Sequence, residues 1–252
     1  MIPIRDTIPR QNPPIVTWIL IFVNGVVFFF ELTMPPQVLE QFFHLFGIVP
    51  ARYTHPDWAA WVGFPIDNYW PFFTSMFLHG GWLHIIGNMW ALWIFGDNVE
   101  DRMGPFRFAT FYVLCGIVAG VTHALTNPES TVPSVGASGA IAGVMGAYFV
   151  LYPRARVIVL LPILFLPLFF ELPAFLYLGF WIFLQLFSGT LALAAPGEVG
   201  GVAWWAHVGG FASGVVLQFF FVRRAPAYRL PARDEYRLEN PWLPQAYWRN
   251  SR

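Results

Sequence analysis

Residues 136–147 read "GASGAIAGVMGA". Ser138 stands among glycines and alanines at the head of a stretch apolar enough to sit in a lipid bilayer. Two readings compete for that serine. It is either a nucleophile or a small residue that lets two helices approach closely, and the rest of the chain decides which.

Composition sets the class. Of 252 residues, 57% are hydrophobic and only 11% are charged, against about 25% charged in an ordinary soluble domain. Aromatics reach 19%, and the 12 Trp suit anchoring at membrane interfaces. These values predict an all-α, polytopic membrane protein. The net charge is zero and no glycine-rich phosphate loop is present, so nothing points to nucleic acid or to a nucleotide cofactor. A single cysteine, Cys115, excludes an intrachain disulfide.

A helix needs about 20 apolar residues to cross a bilayer. Six stretches qualify: 15–33, 78–95, 106–125, 137–152, 173–193 and 203–222. The first follows two arginines, as a signal peptide would. It lacks an A-x-A-like cleavage site and reads as a retained span. Residues 157–170, "VIVLLPILFLPLFF", carry Pro162 and Pro167 and stop at Glu171, which predicts an interfacial or partly buried segment rather than a seventh span. Residues 1–222 then form one six-span domain, and residues 223–252 form an Arg-rich, Pro-broken tail.

Orientation follows from charge. The chain has no Lys, so its 14 Arg carry all the positive charge. Arg52 alone falls outside one set of alternate loops; the other 13 precede span 1, separate spans 2 and 3 or 4 and 5, or follow span 6. By the positive-inside rule both termini are cytoplasmic, while residues 34–77, 126–136 and 194–202 face outward. The outer loop 34–77 is long and rich in Pro, Trp and Tyr, as in "GIVPARYTHPDWAAWVGFPIDNYWP", and loops of that length usually carry function or structure of their own.

In this topology spans 2, 4 and 6 all enter from the outer face. Ser138 lies in the first turn of span 4, His207 about one turn into span 6 ("WWAHVGGFASG"), and His84 with Asn88 one to three turns into span 2 ("HGGWLHIIGNMW"). The four share one depth. Each signal alone is weak, since small residues four apart are a common packing device in membranes, and Gly139/Gly143 and Gly210/Gly214 fit it. The serine motif is not the G-x-S-x-G elbow either, because Ala140 stands where its last glycine belongs. An intramembrane histidine is different, being costly and therefore functional by default.

Combined, the signals sharpen. His207, Gly210 and Gly214 share a helix face. Glycine contacts between spans 4 and 6 would bring His207 opposite Ser138, within reach of a base–nucleophile hydrogen bond. His84 and Asn88, spaced i, i+4, point the same way. With the backbone N–H of Ser138 at a helix N-terminus they supply donors for an oxyanion. The bland reading of Asn88 is an interhelical hydrogen bond. A metal held by His79, His84 and His207 is a weaker competitor, because the spacing is not H-E-x-x-H and no carboxylate accompanies it.

These residues resemble the rhomboid family of intramembrane serine proteases. The resemblance runs from about Trp70 to Val222 and rests on "HGGWLHIIGN" (79–88), "EDRMG" (100–104), "GASG" (136–139) and "AHVGG" (206–210). It implies Ser138 as nucleophile, His207 as base, His84 and Asn88 as oxyanion donors, and structural roles for Glu100 and Arg102. It implies a hydrolase without a cofactor, in a cell membrane of prokaryotic type, that cuts transmembrane segments of other proteins near the outer face. Substrates would enter between spans 2 and 5. Two departures stand out: Trp70 is followed by Pro71 instead of Arg, and Ala142 replaces the aromatic that often lies four residues after the serine, against the histidine.

Two other classes fit the sequence less well. A non-catalytic relative that binds membrane clients needs neither Ser138 nor His207, and a channel or transporter would want charged groups across the core. No carboxylate lies inside spans 4 or 6 near His207. The outer candidates Glu31, Glu40, Asp57, Asp67, Glu129 and Glu198 sit in loops or at a span end, where water would solvate them. The expectation is a dyad in which packing alone orients His207. Topology has a direct test in single-cysteine accessibility on a Cys115→Ala background: a cysteine at Asn240 should be labelled only after permeabilisation, and labelling from outside removes the six-span count.

Overall fold

The computed structural model describes residues 1–65, 67–163, 166–194 and 202–223. Glu198 and, Arg223 apart, the Arg-rich tail lie outside the described residues. In chain order the elements are β1 (Ile2–Asp6), α1 (Ile15–Glu31), α2 (Pro36–Phe46), α3 (Ala51–Thr54), α4 (Pro56–Trp61), α5 (Pro71–Thr74) and a 3-10 turn at Ser75–Phe77. Then come α6 (Trp82–Met103), α7 (Pro105–Thr126), α8 (Ser138–Leu151), β2 (Arg156–Ile163), β3 (Leu166–Pro173), α9 (Ala174–Ala194) and α10 (Trp204–Phe221).

The core is built around α8. Every residue from Gly139 to Tyr148 is buried, as expected of a helix that is apolar on all sides, and α6, α7, α9 and α10 pack around it. Its small residues set the spacing. A Cβ on Gly210 would fall on the carbonyl of Gly139, and one on Gly214 on the carbonyl of Gly143, so α8 and α10 meet backbone to backbone. On its other side α8 meets α7, where a Cβ on Gly139 would lie 2.6 Å from the Ala119 side chain.

The helices agree with the apolar stretches at most ends, with one informative exception. α6 starts at Trp82 and runs to Met103, past the expected end at 95. Asp97, Glu100, Asp101 and Arg102 mark where its apolar face stops, not where the helix stops. It ends at Gly104, whose φ of 79° suits glycine. Glu100 is spent on a neighbour: its carboxylate accepts the backbone N–H groups of Val16 (2.9 Å) and Thr17 (2.8 Å) and the Thr17 hydroxyl (2.8 Å). These N–H groups open α1 and have no partner inside that helix. Asp101 accepts the backbone N–H groups of Gln11 (2.9 Å) and Asn12 (3.2 Å) just upstream. By length and composition alone, α7 and α9 can each cross a membrane, while α1 and α8 are apolar but shorter.

The all-α expectation needs amendment: the chain is mostly helical but carries a three-stranded antiparallel sheet in the order β1-β2-β3. Arg156–Ile163 and Leu166–Pro173 pair as antiparallel strands, with Arg156 opposite Pro173 and Pro162 opposite Pro167, and Val157, Ile158 and Val159 are buried, in keeping with a partly buried segment. The N-terminal residues supply the third strand, with Ile2 opposite Leu160 and Asp6 opposite Val157. A continuous apolar run has no period of 2 to distinguish it from a buried helical segment, and the pairing partner lies at the far end of the chain. The sheet is fastened to the bundle through Asp6, which accepts from the Tyr148 hydroxyl (2.6 Å) and Asn98 Nδ2 (2.8 Å).

The close approach of α8 and α10 has a measurable consequence. Gly214→Leu should destabilise the protein by at least about 2 kcal/mol, within or above the usual range for an over-packed core, and lower its melting temperature in detergent. Gly25→Leu is the matched control, because a Cβ there meets nothing within 4 Å. Equal melting temperatures for the two variants would contradict the backbone contact.

Candidate active site

The segment leading to Ser138 is stitched to the long loop between α1 and α6. Ile48 and Ser134 exchange backbone hydrogen bonds of 3.0 and 2.8 Å, and the Gly136 N–H donates to the Ser75 carbonyl at 2.9 Å. Gly136 then turns the chain with a φ of 131°, a conformation suited to glycine. Ser138 follows as the first residue of α8.

His207 is buried one turn inside α10. Its Nε2 lies 2.8 Å from Ser138 Oγ. That is hydrogen-bond distance between residues on two helices, and it is reached because the helices touch at the next turns through Gly139–Gly210 and Gly143–Gly214. The other ring nitrogen, Nδ1, lies 2.7 Å from Oε1 of Gln185 on α9. The expectation that packing alone orients His207 is therefore corrected. The aromatic absent at Ala142 is replaced in space by Trp181, whose ring centroid lies 5.7 Å from that of His207 at an interplanar angle of 37°.

Gln185 escapes any reading of the sequence that looks only to carboxylates for a third member. The signal was present: one amide in the apolar helix "AFLYLGFWIFLQLFSGTLALA", where a buried polar side chain seeks a partner on a neighbouring helix. Among the described residues no carboxylate hydrogen-bonds His207.

His84 and Asn88 both border the turn before the serine. A Cβ built on Gly136 would lie 2.6 Å from His84 Nε2 and 3.6 Å from Asn88 Nδ2. Asn88 is buried, and its Nδ2 has no hydrogen-bond partner among the described residues. The interhelical hydrogen bond considered for it is thus not made by that amide nitrogen. An unmatched buried donor beside a helix N-terminus suits a charge that develops only during reaction. Neutral backbone and amide donors can do that chemistry without a metal ion, and among the described residues no three His, Cys, Asp or Glu converge as a ligand set.

The remaining histidine of that motif, His79, is buried with its ring 5.1 Å from His84, centroid to centroid. Its backbone N–H donates to both carboxylate oxygens of Glu31, at 3.2 and 3.3 Å. Glu31 is 1% exposed, so the expectation that water solvates it is corrected. It ends α1 facing inward and ties that helix to the entry of α6. Beyond Trp70, Pro71 opens the short helix α5, and Trp70 itself is 71% exposed.

Known proteins share the segment that carries these residues. A model of the rhomboid domain matches residues 67–224, well over half the chain. Rhomboid-like protein 11, chloroplastic, of Arabidopsis thaliana is 32% identical over 120 residues, 48% of this chain and 39% of its own length. RHOMBOID-like protein 1 of the same plant is 32% identical over 166 residues, 63% of this chain and 36% of its own. Rhomboid protease GluP of Bacillus subtilis is 39% identical over 80 residues, 32% of this chain and 15% of its own. The chain thus spans less than half the length of these relatives. The serine, the histidine and the glycines that join their helices all fall inside the matched domain, and the chain belongs to the rhomboid family.

Proposed function

We propose that this protein is an intramembrane serine endopeptidase with Ser138 as nucleophile and His207 as general base. A rhomboid domain makes the chain an integral membrane protein, and the family acts generally on membrane proteins. The finer reading is a six-span enzyme with both termini cytoplasmic, in a cell membrane of prokaryotic type, which cuts transmembrane segments near the outer face. One observation carries the catalytic reading: the 2.8 Å contact between Ser138 Oγ and His207 Nε2, a nucleophile and a base brought together from two helices.

The chemistry follows from that contact. A substrate helix unwinds locally and exposes a peptide carbonyl that was engaged in its own hydrogen bonds. Helix-weakening residues such as glycine in the substrate favour this step. Ser138 Oγ forms a bond to the carbonyl carbon while its proton passes to His207 Nε2. The carbonyl oxygen becomes an oxyanion beside Asn88, His84 and the N-terminal N–H groups of α8. As the oxyanion collapses, the C–N bond breaks and the leaving amine takes the proton from His207, which leaves an acyl-Ser138 ester. Water then attacks the ester with His207 again as base, releasing the acid and restoring the serine.

The reading is tested first on the nucleophile. Ser138→Ala should abolish both cleavage of a transmembrane substrate and labelling by a fluorophosphonate while the melting temperature holds, since alanine is small enough for the α8–α10 contact. Cleavage at the normal rate by a folded Ser138→Ala protein would return the serine to a packing role and favour a non-catalytic, client-binding function.

The donors are tested on rate. Asn88→Ala and His84→Ala should each lower kcat by about 10- to 1000-fold, the range expected when one oxyanion donor is lost, with little change in KM because the interaction arises mainly in the transition state. A raised KM at unchanged kcat would make the residue a substrate-binding or structural one.

A further inference from the structure

We propose that Gln185 is the positioning residue for the base, a neutral third member that sets the tautomer of His207; the proposal rests on the protease reading above. In neutral imidazole one nitrogen carries the proton and the other accepts. The side-chain oxygen of Gln185 can only accept, and it lies 2.7 Å from His207 Nδ1. The proton is therefore on Nδ1, and the lone pair of Nε2 faces the Ser138 hydroxyl at 2.8 Å. That is the form that takes the serine proton.

The amide is held the right way round by a second contact. Gln185 Nε2 donates to the Trp181 carbonyl one turn earlier on α9, at 3.3 Å. Reversed, the amide would set its oxygen against that carbonyl, two acceptors face to face, and its NH2 against Nδ1. It would then favour the tautomer that blocks the base. The bond is also sheltered: Gln185 is 6% exposed and His207 9%. Trp181 covers one side of the imidazole, and Trp204 meets it edge-on with ring centroids 6.4 Å apart.

A neutral partner fits this site for an electrostatic reason. A carboxylate in the same place would be one more charge removed from water, which is costly unless fully compensated. An amide orients the ring without that cost, but it stabilises the imidazolium of the transition state through a dipole only. Its loss should thus cost less than the roughly 10⁴-fold seen when a triad carboxylate is disabled.

Removal of the side chain should not undock α9. One turn further along, Trp205 Nε1 on α10 donates to the Gly189 carbonyl of α9 at 3.2 Å, so a second hydrogen bond holds the two helices together at the site. Three proteins make the test, assayed for kcat and KM on a transmembrane substrate, for the rate of fluorophosphonate labelling and for melting temperature. Gln185→Leu keeps the volume and removes the acceptor. It should lower kcat and the labelling rate by about 10- to 100-fold, with KM and melting temperature little changed. Gln185→Glu, held as the neutral acid by the same cost of burying charge, keeps the acceptor toward Nδ1 and donates its O–H to the Trp181 carbonyl, and should restore kcat to within about tenfold of wild type. Full activity in Gln185→Leu, or equal losses in the Leu and Glu variants, would overturn the positioning role. A folded wild-type protein that neither cleaves nor takes the fluorophosphonate would instead overturn the protease reading on which the role depends.

Discussion

The structure depends on the backbone contact between α8 and α10. Inside a bilayer, lipid tails are as apolar as leucine, so helices associate through close packing and polar contacts and not by escape from water. Glycines at 139, 143, 210 and 214 remove the side chains that would keep the two backbones apart. The same contact sets the serine–histidine distance, because Ser138 and His207 project from the two helices within one turn of it. Packing and the proposed nucleophilic role of the serine are not rivals here. The packing is what makes the hydroxyl reach the imidazole.

Around that contact, other elements use polar side chains to fasten helix ends. Glu100 takes up the N–H groups that open α1, Glu31 closes the far end of the same helix onto His79, and Asp6 joins the sheet to α8 through Tyr148. Each satisfies backbone or hydroxyl groups that hydrocarbon could not. Asn88 differs from these three, with its amide nitrogen unmatched among the described residues beside the turn that delivers the serine. A donor free at that turn supports the proposed oxyanion role, in which its partner exists only during the reaction.

The departures at 142 and around His207 compensate one another. The Ala142 side chain lies against Gly210, where an added Cβ would be 3.3 Å away. A small residue therefore lets α10 come close, and the ring that faces His207 is drawn from α9 as Trp181. Gln185 arrives on the same helix face one turn later. The helix that covers the imidazole also supplies its hydrogen-bond acceptor, so shielding and orientation have one source.

Composition and local pattern determined a good deal by themselves. The paucity of charge marked a membrane protein. The apolar stretches located the main helices, the four-residue glycine spacing gave the α8–α10 contact, and the rarity of intramembrane histidine singled out His207. All of these are properties of one segment at a time. Tertiary structure alone decided the rest. β2 is a strand because β1, from the start of the chain, and β3 flank it and complete its hydrogen bonding. Glu31 is buried because α1 turns that face toward His79. Gln185 meets His207 because of the rotation of α9 about its own axis, which no period within α9 records. A sequence lists the groups that can bond, but which of them meet is set by how the helices pack.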